Sequence, residues 1–344
     1  MTAGLKLSAP GLHTTVQDLG RIGYQNIGVP VSGALDGFAL RLANALVGNP
    51  QDMAALEMLV SGPTFEVAAD SARLALVGTG ASLGIRGENP RVVAAGQSVT
   101  VQRGDAVQIT LGRQSACCYL AAEGGIAVPR VLGSASTYVR AALGGLNGRA
   151  VRRDDVIPLA AGCASERNEL RAPALASGSP DQPIRVVVGP QHKYFSKEAF
   201  ATLLGAEFRV STDADRMGMR LDGPLLRHRR GWDIVSDAIA TGSIQVPGSG
   251  QPIVLLADHQ TTGGYPKIAT VISADLPRLG RCRPGDPLRF ISVELEAAEE
   301  MCREAEREFA KLVAALEPAP SEIELDIGSL YGENLISGVT TGFD

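Results

Sequence analysis

Phe65-Glu66-Val67, Arg73-Leu74-Ala75-Leu76-Val77, Val99-Thr100-Val101-Gln102 and Ala106-Val107-Gln108-Ile109-Thr110 decide the fold class. Each run is short and either alternates or is rich in β-formers, with Gly, Asp or Asn between the runs. That spacing predicts a β-barrel or sandwich across residues 60–160. The texture returns at Ile184-Arg185-Val186-Val187-Val188 and at 207–211, 253–257 and 287–293. Glycine makes up 40 of 344 residues, against a usual share near 7%. Turns and close backbone approaches are therefore frequent, and a helix bundle is excluded.

Helices are few. Phe38, Leu42, Ala45 and Leu46 recur at helical spacing over 35–47, and Gly48-Asn49-Pro50 stops that helix. A short helix is predicted at 195–204. A long amphipathic one spans 293–316, with Ala298, Met301, Cys302, Ala305, Phe309, Leu312, Val313 and Leu316 on its apolar stripe. The expected organisation is a first β domain over 1–165, a polar Pro-bearing linker over 166–183, and a second β domain over 184–292. The 293–316 helix and an acidic tail over 317–344 follow. Arg103-Gly104-Asp105 and Pro284-Gly285-Asp286 place the same Gly-Asp turn before a strand in each half, and Arg153-Asp154-Asp155 is a third copy with Asp in the Gly position.

Composition bounds the function. The net charge is −5, and residues 317–344 hold six acids and no Lys or Arg, which leaves 31 acids against 32 bases elsewhere. A nearly neutral body argues against nucleic acid. No apolar run approaches the ~18 residues of a membrane helix, and Met1-Thr2-Ala3-Gly4-Leu5-Lys6 does not open a secretory signal. A cytoplasmic protein is expected. The five cysteines have no C-x-x-C spacing and the four histidines no ligand spacing, so neither a disulfide frame nor a metal site is expected. Gly78-Thr79-Gly80 with Gly84 imitates a dinucleotide loop, and Gly80-Ala81-Ser82-Leu83-Gly84 a nucleophile elbow. Both chemistries need a helix to start at the motif, and β-type sequence continues instead, so a hairpin is predicted.

Three segments combine Gly with hydroxyls and charge: 14–36, 215–220 and 242–267. In the last, Gln260-Thr261-Thr262-Gly263-Gly264-Tyr265-Pro266-Lys267 offers a free backbone, amide and hydroxyl donors and an ammonium. That set suits a carboxylate, a phosphate or a polarised amide oxygen; the plain alternative is a tight turn with satisfied side chains.

The same segments carry a family resemblance. Thr14-Thr15-Val16-Gln17-Asp18-Leu19-Gly20-Arg21, Ser32-Gly33-Ala34-Leu35-Asp36, Leu56-Glu57 and Gly62-Pro63 resemble the first half of the KipA family. Gly189-Pro190-Gln191, Arg216-Met217-Gly218, Ala257-Asp258, Gln260 to Lys267 and Pro284-Gly285-Asp286 extend the match in order to about residue 292. The family is also called allophanate hydrolase subunit 2 or biotin-dependent carboxyltransferase, and includes the C subunit of 5-oxoprolinase (PxpC). The resemblance implies a mainly β chain with a few helices: two cyclophilin-like β-barrel domains in tandem, with a cleft where they meet.

The activity it implies is that of the C subunit of an ATP-dependent 5-oxoprolinase, a cyclic-amide hydrolase. Such a protein works with a KipI-like B subunit and an A subunit to open 5-oxoproline to L-glutamate, and is inactive without them. ATP serves the complex, with no single component assigned to bind it. The alternative is a carboxyltransferase moving carboxyl from carboxybiotin to urea or a similar amide. A third reading is a non-catalytic antagonist that binds KipI. No Met-Lys-Met biotin carrier motif occurs, which favours the first.

Within that reading Lys267 supplies positive charge, and Asp18 or Asp36 accepts a proton or orients Arg21. Gln245, Gln260, Thr261, Thr262, Gly263 and Gly264 donate to the substrate, Tyr24 and Tyr265 pack on a planar ligand, and Arg216 joins the binding set. Lys267 is read as exposed, so Lys267→Ala is expected to shift folding by at most ~0.5 kcal/mol.

Overall fold

The computed structural model describes residues 3–173 and 182–320. In the first half, two antiparallel sheets face each other. One runs in the order Val156–Pro158, Gly4–Ala9, Thr64–Val67, Ala106–Thr110, Ser82–Arg86, Arg91–Ala94. The other runs His13–Gln17, Ala55–Leu59, Cys117–Ala122, Ser71–Val77, Gln97–Gln102, Leu170–Arg171, Glu317–Pro318. Ala106–Thr110 alternates buried and exposed residues, one face inward and one in water. Cys117–Ala122 is buried along its whole length. Its second face is covered by helix α1 (Gly37–Leu46), whose Leu40, Leu42, Ala43 and Leu46 pack on Ala75, Tyr119 and Ala121.

The second half is one eight-stranded sheet. Its order is Pro287–Leu288, Phe208–Ala214, Gly218–Asp222, Ile253–Leu255, Ser243–Gln245, Lys267–Val271, Ile184–Val188, Phe290–Ser292. The two edge strands are neighbours in the chain, separated only by Arg289, so the sheet must curl until its edges almost meet. Ile184, Val186, Phe208, Leu221, Ile244, Val254, Ile268 and Phe290 fill this nearly closed barrel. A two-stranded ribbon, Asp237–Ala238 with Thr262–Gly263, stands apart from it.

The Gly78–Ala81 stretch is a turn between two strands of the first half, as predicted, and no helix begins there. Leu170–Arg171, inside the expected linker, is instead a short strand: it pairs with Gln97 and with Glu317–Pro318. Residues 174–181 of that linker, and 321–344 of the acidic tail, lie outside the described residues. No described helix is long and apolar enough to cross a membrane.

The three Asp turns share one geometry. Asp105, Asp155 and Asp286 each accept, through Oδ2, the backbone N–H three residues earlier, at 2.8, 2.7 and 2.8 Å. The residue before each Asp is left-handed: Gly104 at φ 88°, Gly285 at 91° and Asp154 at 67°. Asp154 therefore holds a conformation in which Cβ crowds the backbone. Asp154→Gly is expected to relieve that strain and raise stability by up to about 1 kcal/mol, offset in part by glycine's greater unfolded-state entropy. A urea melt of the two proteins checks it; a destabilised variant would show that the turn carries no strain.

Helix α2 (Lys197–Gly205) and helix α3 (Leu276–Arg281) belong to the second half. Gly280 of α3 abuts Leu35, and a Cβ there would lie 2.4 Å from the Leu35 carbonyl oxygen. Helix α4 (Leu295–Ala314) crosses back to the first half. Its Phe309 is buried edge-on against Phe38 at 5.4 Å, and Arg41 caps the same ring at 3.9 Å while pairing with Glu306 at 2.7 Å. Of the expected stripe, Ala298 and Phe309 are buried, whereas Ala305 is exposed, because only the helix ends meet the body.

Candidate functional site

Lys267 opens the strand Lys267–Val271 and sits in register with Gln245 on the neighbouring strand. The structure corrects the expectation that it is exposed: Lys267 is only 2% accessible. The reason is the ribbon, which folds over it. Its Nζ donates to Asp237 Oδ2 at 2.8 Å and to the Ala238 carbonyl at 2.8 Å. An ammonium has three hydrogens, so one is uncommitted among the described residues. Gln191 braces the pair, donating through Nε2 to Asp237 and accepting the Lys267 backbone N–H. These hydrogen bonds from Lys267 and Gln191 hold the Asp237 carboxyl below the usual carboxylate range.

Beside Lys267, two glutamines meet. Gln260 Nε2 approaches Gln245 Oε1 at 3.4 Å, while Gln245 Nε2 is buried and has no acceptor among the described residues. A Cβ on Gly263 would lie 2.7 Å from that nitrogen, so the amide faces glycine backbone. A buried donor left unpaired costs roughly 1–3 kcal/mol, and a built acceptor is the usual remedy. His259 supports the loop from behind. Its Nδ1–H donates to the Gln260 carbonyl at 2.6 Å and its Nε2 accepts from Thr241 Oγ1 at 3.1 Å. Burial lowers its proton affinity, which keeps the imidazole neutral. Thr261 is buried, whereas Thr262 is exposed; Gly264 takes the Ile234 N–H through its carbonyl. Tyr265 stands at the edge, 6.3 Å from Trp232, whose ring lies on Gly248.

The other expected catalytic residues lie elsewhere. Asp18 is clamped by Gly20 N–H, Ser134 Oγ and Ser136 Oγ on one oxygen and by Ala135 N–H on the other. Four donors on one carboxylate make it a structural clamp for the 134–136 turn rather than a proton acceptor. Arg21 is buried against the same turn, donating to the Ser136 carbonyl at 2.5 Å, with Nη1 unpartnered among the described residues. Asp36 caps α1 through the Ala39 N–H at 2.9 Å and lies 3.6 Å from Arg281. Tyr24 is half-buried on an otherwise exposed turn, Gln25–Ile27. The Lys267 ammonium bonds only Asp237 and Ala238 among the described residues, and so meets none of Asp18, Arg21 and Asp36.

Arg216 is corrected from a substrate-binding residue to a staple. It is buried, and four of its five N–H donors are taken: by Asp258 at 2.8 and 3.0 Å, by Glu57, and by the Gly33 carbonyl at 2.7 Å. Burial alone would strip its proton, but the Glu57 and Asp258 charges outweigh that and hold it firmly cationic. Glu57 and Gly33 belong to the first half and Arg216 and Asp258 to the second, so this triad locks the two together. The Ser32 N–H to Ala257 carbonyl bond, at 3.0 Å, continues the seam.

A model of the carboxyltransferase domain, subdomain A and B, matches residues 27–292. The chain belongs to this carboxyltransferase family. It is 35% identical over 308 residues to the 5-oxoprolinase C subunit of Escherichia coli strain K12, covering 90% of this chain and 97% of that one. The protein of the same name from Haemophilus influenzae is 34% identical, over 86% of this chain and 93% of that one. The Kluyveromyces lactis urea carboxylase crystal structure superposes with a TM-score of 0.81 at 28% identity, over 90% of this chain but only 29% of that longer one. Relatives named as one component of an enzyme imply partner subunits.

Sequence reasoning passed over Asp237, Gln191, His259, Trp232 and Glu57 as functional residues. Glu57 carried a signal, being the one charge in the apolar run Ala55–Leu59. Asp237 carried none, since its pairing with Lys267 spans 30 residues.

Proposed function

We propose that this carboxyltransferase-family chain is the C subunit of an ATP-dependent 5-oxoprolinase. It acts with a KipI-like B subunit and an A subunit to open 5-oxoproline to L-glutamate. The observation that carries this reading is the unpaired, buried Gln245 Nε2–H beside Lys267, a donor set shaped for an amide oxygen. A lactam carbonyl resists water because its nitrogen shares electrons with the carbonyl, and ring opening requires charge to be drawn onto oxygen. ATP supplies that activation by phosphorylating the oxygen. On this chain Gln245 Nε2–H and the free Lys267 hydrogen stabilise the developing negative charge, while Asp237 and Gln191 hold the ammonium in place. Neutral His259 fixes the Gln260 backbone, and Trp232 with Tyr265 forms an aromatic edge for a planar ring.

The same donors fit the oxygen of urea or carboxybiotin, and the likeness to a urea carboxylase supports that second reading. Reconstitution separates the two. The chain, a KipI-like B subunit and an A subunit are co-expressed and assayed for glutamate release from 5-oxoproline. ATP-dependent release is expected from the complex and none from the chain alone. Full turnover by the isolated chain would overturn the multi-subunit reading. A complex inert on 5-oxoproline that transfers carboxyl to urea would establish the alternative.

A further inference from the structure

A cavity of about 340 Å³ lies in the first half, away from Lys267. That volume is at the lower end of the ~300–1,000 Å³ usual for small-molecule sites. Its walls are small and mostly apolar, with Val77, Ala39, Ala95 and Phe38 among them. Two charged groups enter it, Asp36 from the start of α1 and Arg281 from the end of α3.

These two groups are unevenly satisfied. Asp36 is 1% exposed; its Oδ1 takes the Ala39 N–H, while Oδ2 faces Arg281. The Arg281 Nη1 to Asp36 Oδ2 separation is 3.6 Å, beyond a good hydrogen bond. Among the described residues the Arg281 guanidinium has no closer acceptor than this one. The polar end of the cavity thus presents a cation with free N–H groups and, beside it, an acceptor oxygen. A simple anion there meets the Asp36 carboxylate, and a simple cation meets Arg281. A ligand carrying a carboxylate next to a nitrogen-bound hydrogen satisfies both, with its hydrocarbon part on the alanine wall.

We infer that this cavity is a binding site for a small α-amino acid or its cyclic amide, the ligand carboxylate on Arg281 and its N–H on Asp36. The ligand class follows from the cavity; the choice of probes leans on the 5-oxoprolinase reading, whose substrate and product both belong to that class. Burial raises the proton affinity of Asp36, and Arg281 counters part of that rise. A bound ligand carboxylate beside Arg281 accordingly leaves Asp36 in need of the ligand N–H.

The test is calorimetric titration of the full chain alone with L-glutamate, 5-oxoproline and glutarate, the last having carboxylates and no N–H. Saturable binding of L-glutamate or 5-oxoproline is expected, with glutarate at least about tenfold weaker. Arg281→Met and Ala94→Leu are each expected to weaken binding at least about tenfold. Ala94 lines the cavity from an exposed strand position, so its replacement fills the space without disturbing the core. Melting curves of both variants confirm folding. Binding unchanged in both folded variants, equal binding of glutarate, or no saturable binding of either probe would overturn the assignment. A chain that binds L-glutamate here while the reconstituted complex releases none would leave the site standing and remove the 5-oxoprolinase reading.

Discussion

Arg216→Ala lowers the unfolding free energy by about 3–5 kcal/mol, the scale on which removal of one partner from a buried ion pair is felt. Glu57 is fully buried and Asp258 nearly so, and both would lose their counter-charge at once. Glu57 keeps only the Tyr119 hydroxyl at 2.5 Å and the Leu35 N–H at 2.9 Å, too little to solvate a carboxylate. Burial, with the Glu57 charge second, already drives the Tyr119 hydroxyl far above its ordinary proton affinity, so it donates and does not ionise. Arg216→Lys recovers only part of the loss, because an ammonium cannot bond Glu57, Asp258 and Gly33 together. Urea unfolding followed by circular dichroism reads the effect. A variant that melts normally but fails in the reconstituted complex would return Arg216 to the substrate-binding set.

Lys267→Ala and Gln245→Leu each lower turnover of the reconstituted complex by roughly 10²–10³-fold, the loss typical of one preorganised donor at a developing oxyanion. Their stabilities separate them. Lys267 is buried and doubly bonded, so its removal costs about 1–2 kcal/mol, with half-exposed Asp237 recovering water and the Ala238 carbonyl left short of a donor. Gln245→Leu gives up a single 3.4 Å contact and an unpaired donor, so its melting curve stays within about 1 kcal/mol of the parent. Loss of activity in Gln245→Leu without loss of fold is the decisive pattern. Near-normal turnover in both would make this cluster a structural turn and shift attention to the Asp36–Arg281 cavity.

Much of the architecture is legible in short windows of sequence. The helix predicted at 35–47 forms at Gly37–Leu46, and the one at 195–204 forms at Lys197–Gly205. Caps and apolar spacing within four residues write those boundaries. The Gly-Asp turns are equally plain, and even the Asp154 departure preserves the turn at the cost of a left-handed aspartate. The site is legible as a segment but not as a geometry. Gln260 to Lys267 stands out by composition, yet nothing local distinguishes the uncommitted Gln245 donor from the four-fold clamped Asp18 carboxylate.

By itself, then, the sequence determined the β-rich elements, their turns, the stretch that carries the donors, and the family. Tertiary structure decided which charges are free. Arg216 meets Glu57 across 159 residues, and Lys267 meets Asp237 across 30. Whether a charged side chain is a staple, a braced catalytic candidate or an exposed bystander depends on burial and on partners brought in from other strands. Propensity acts through neighbours in the chain, whereas solvation and Coulomb energy act through neighbours in space.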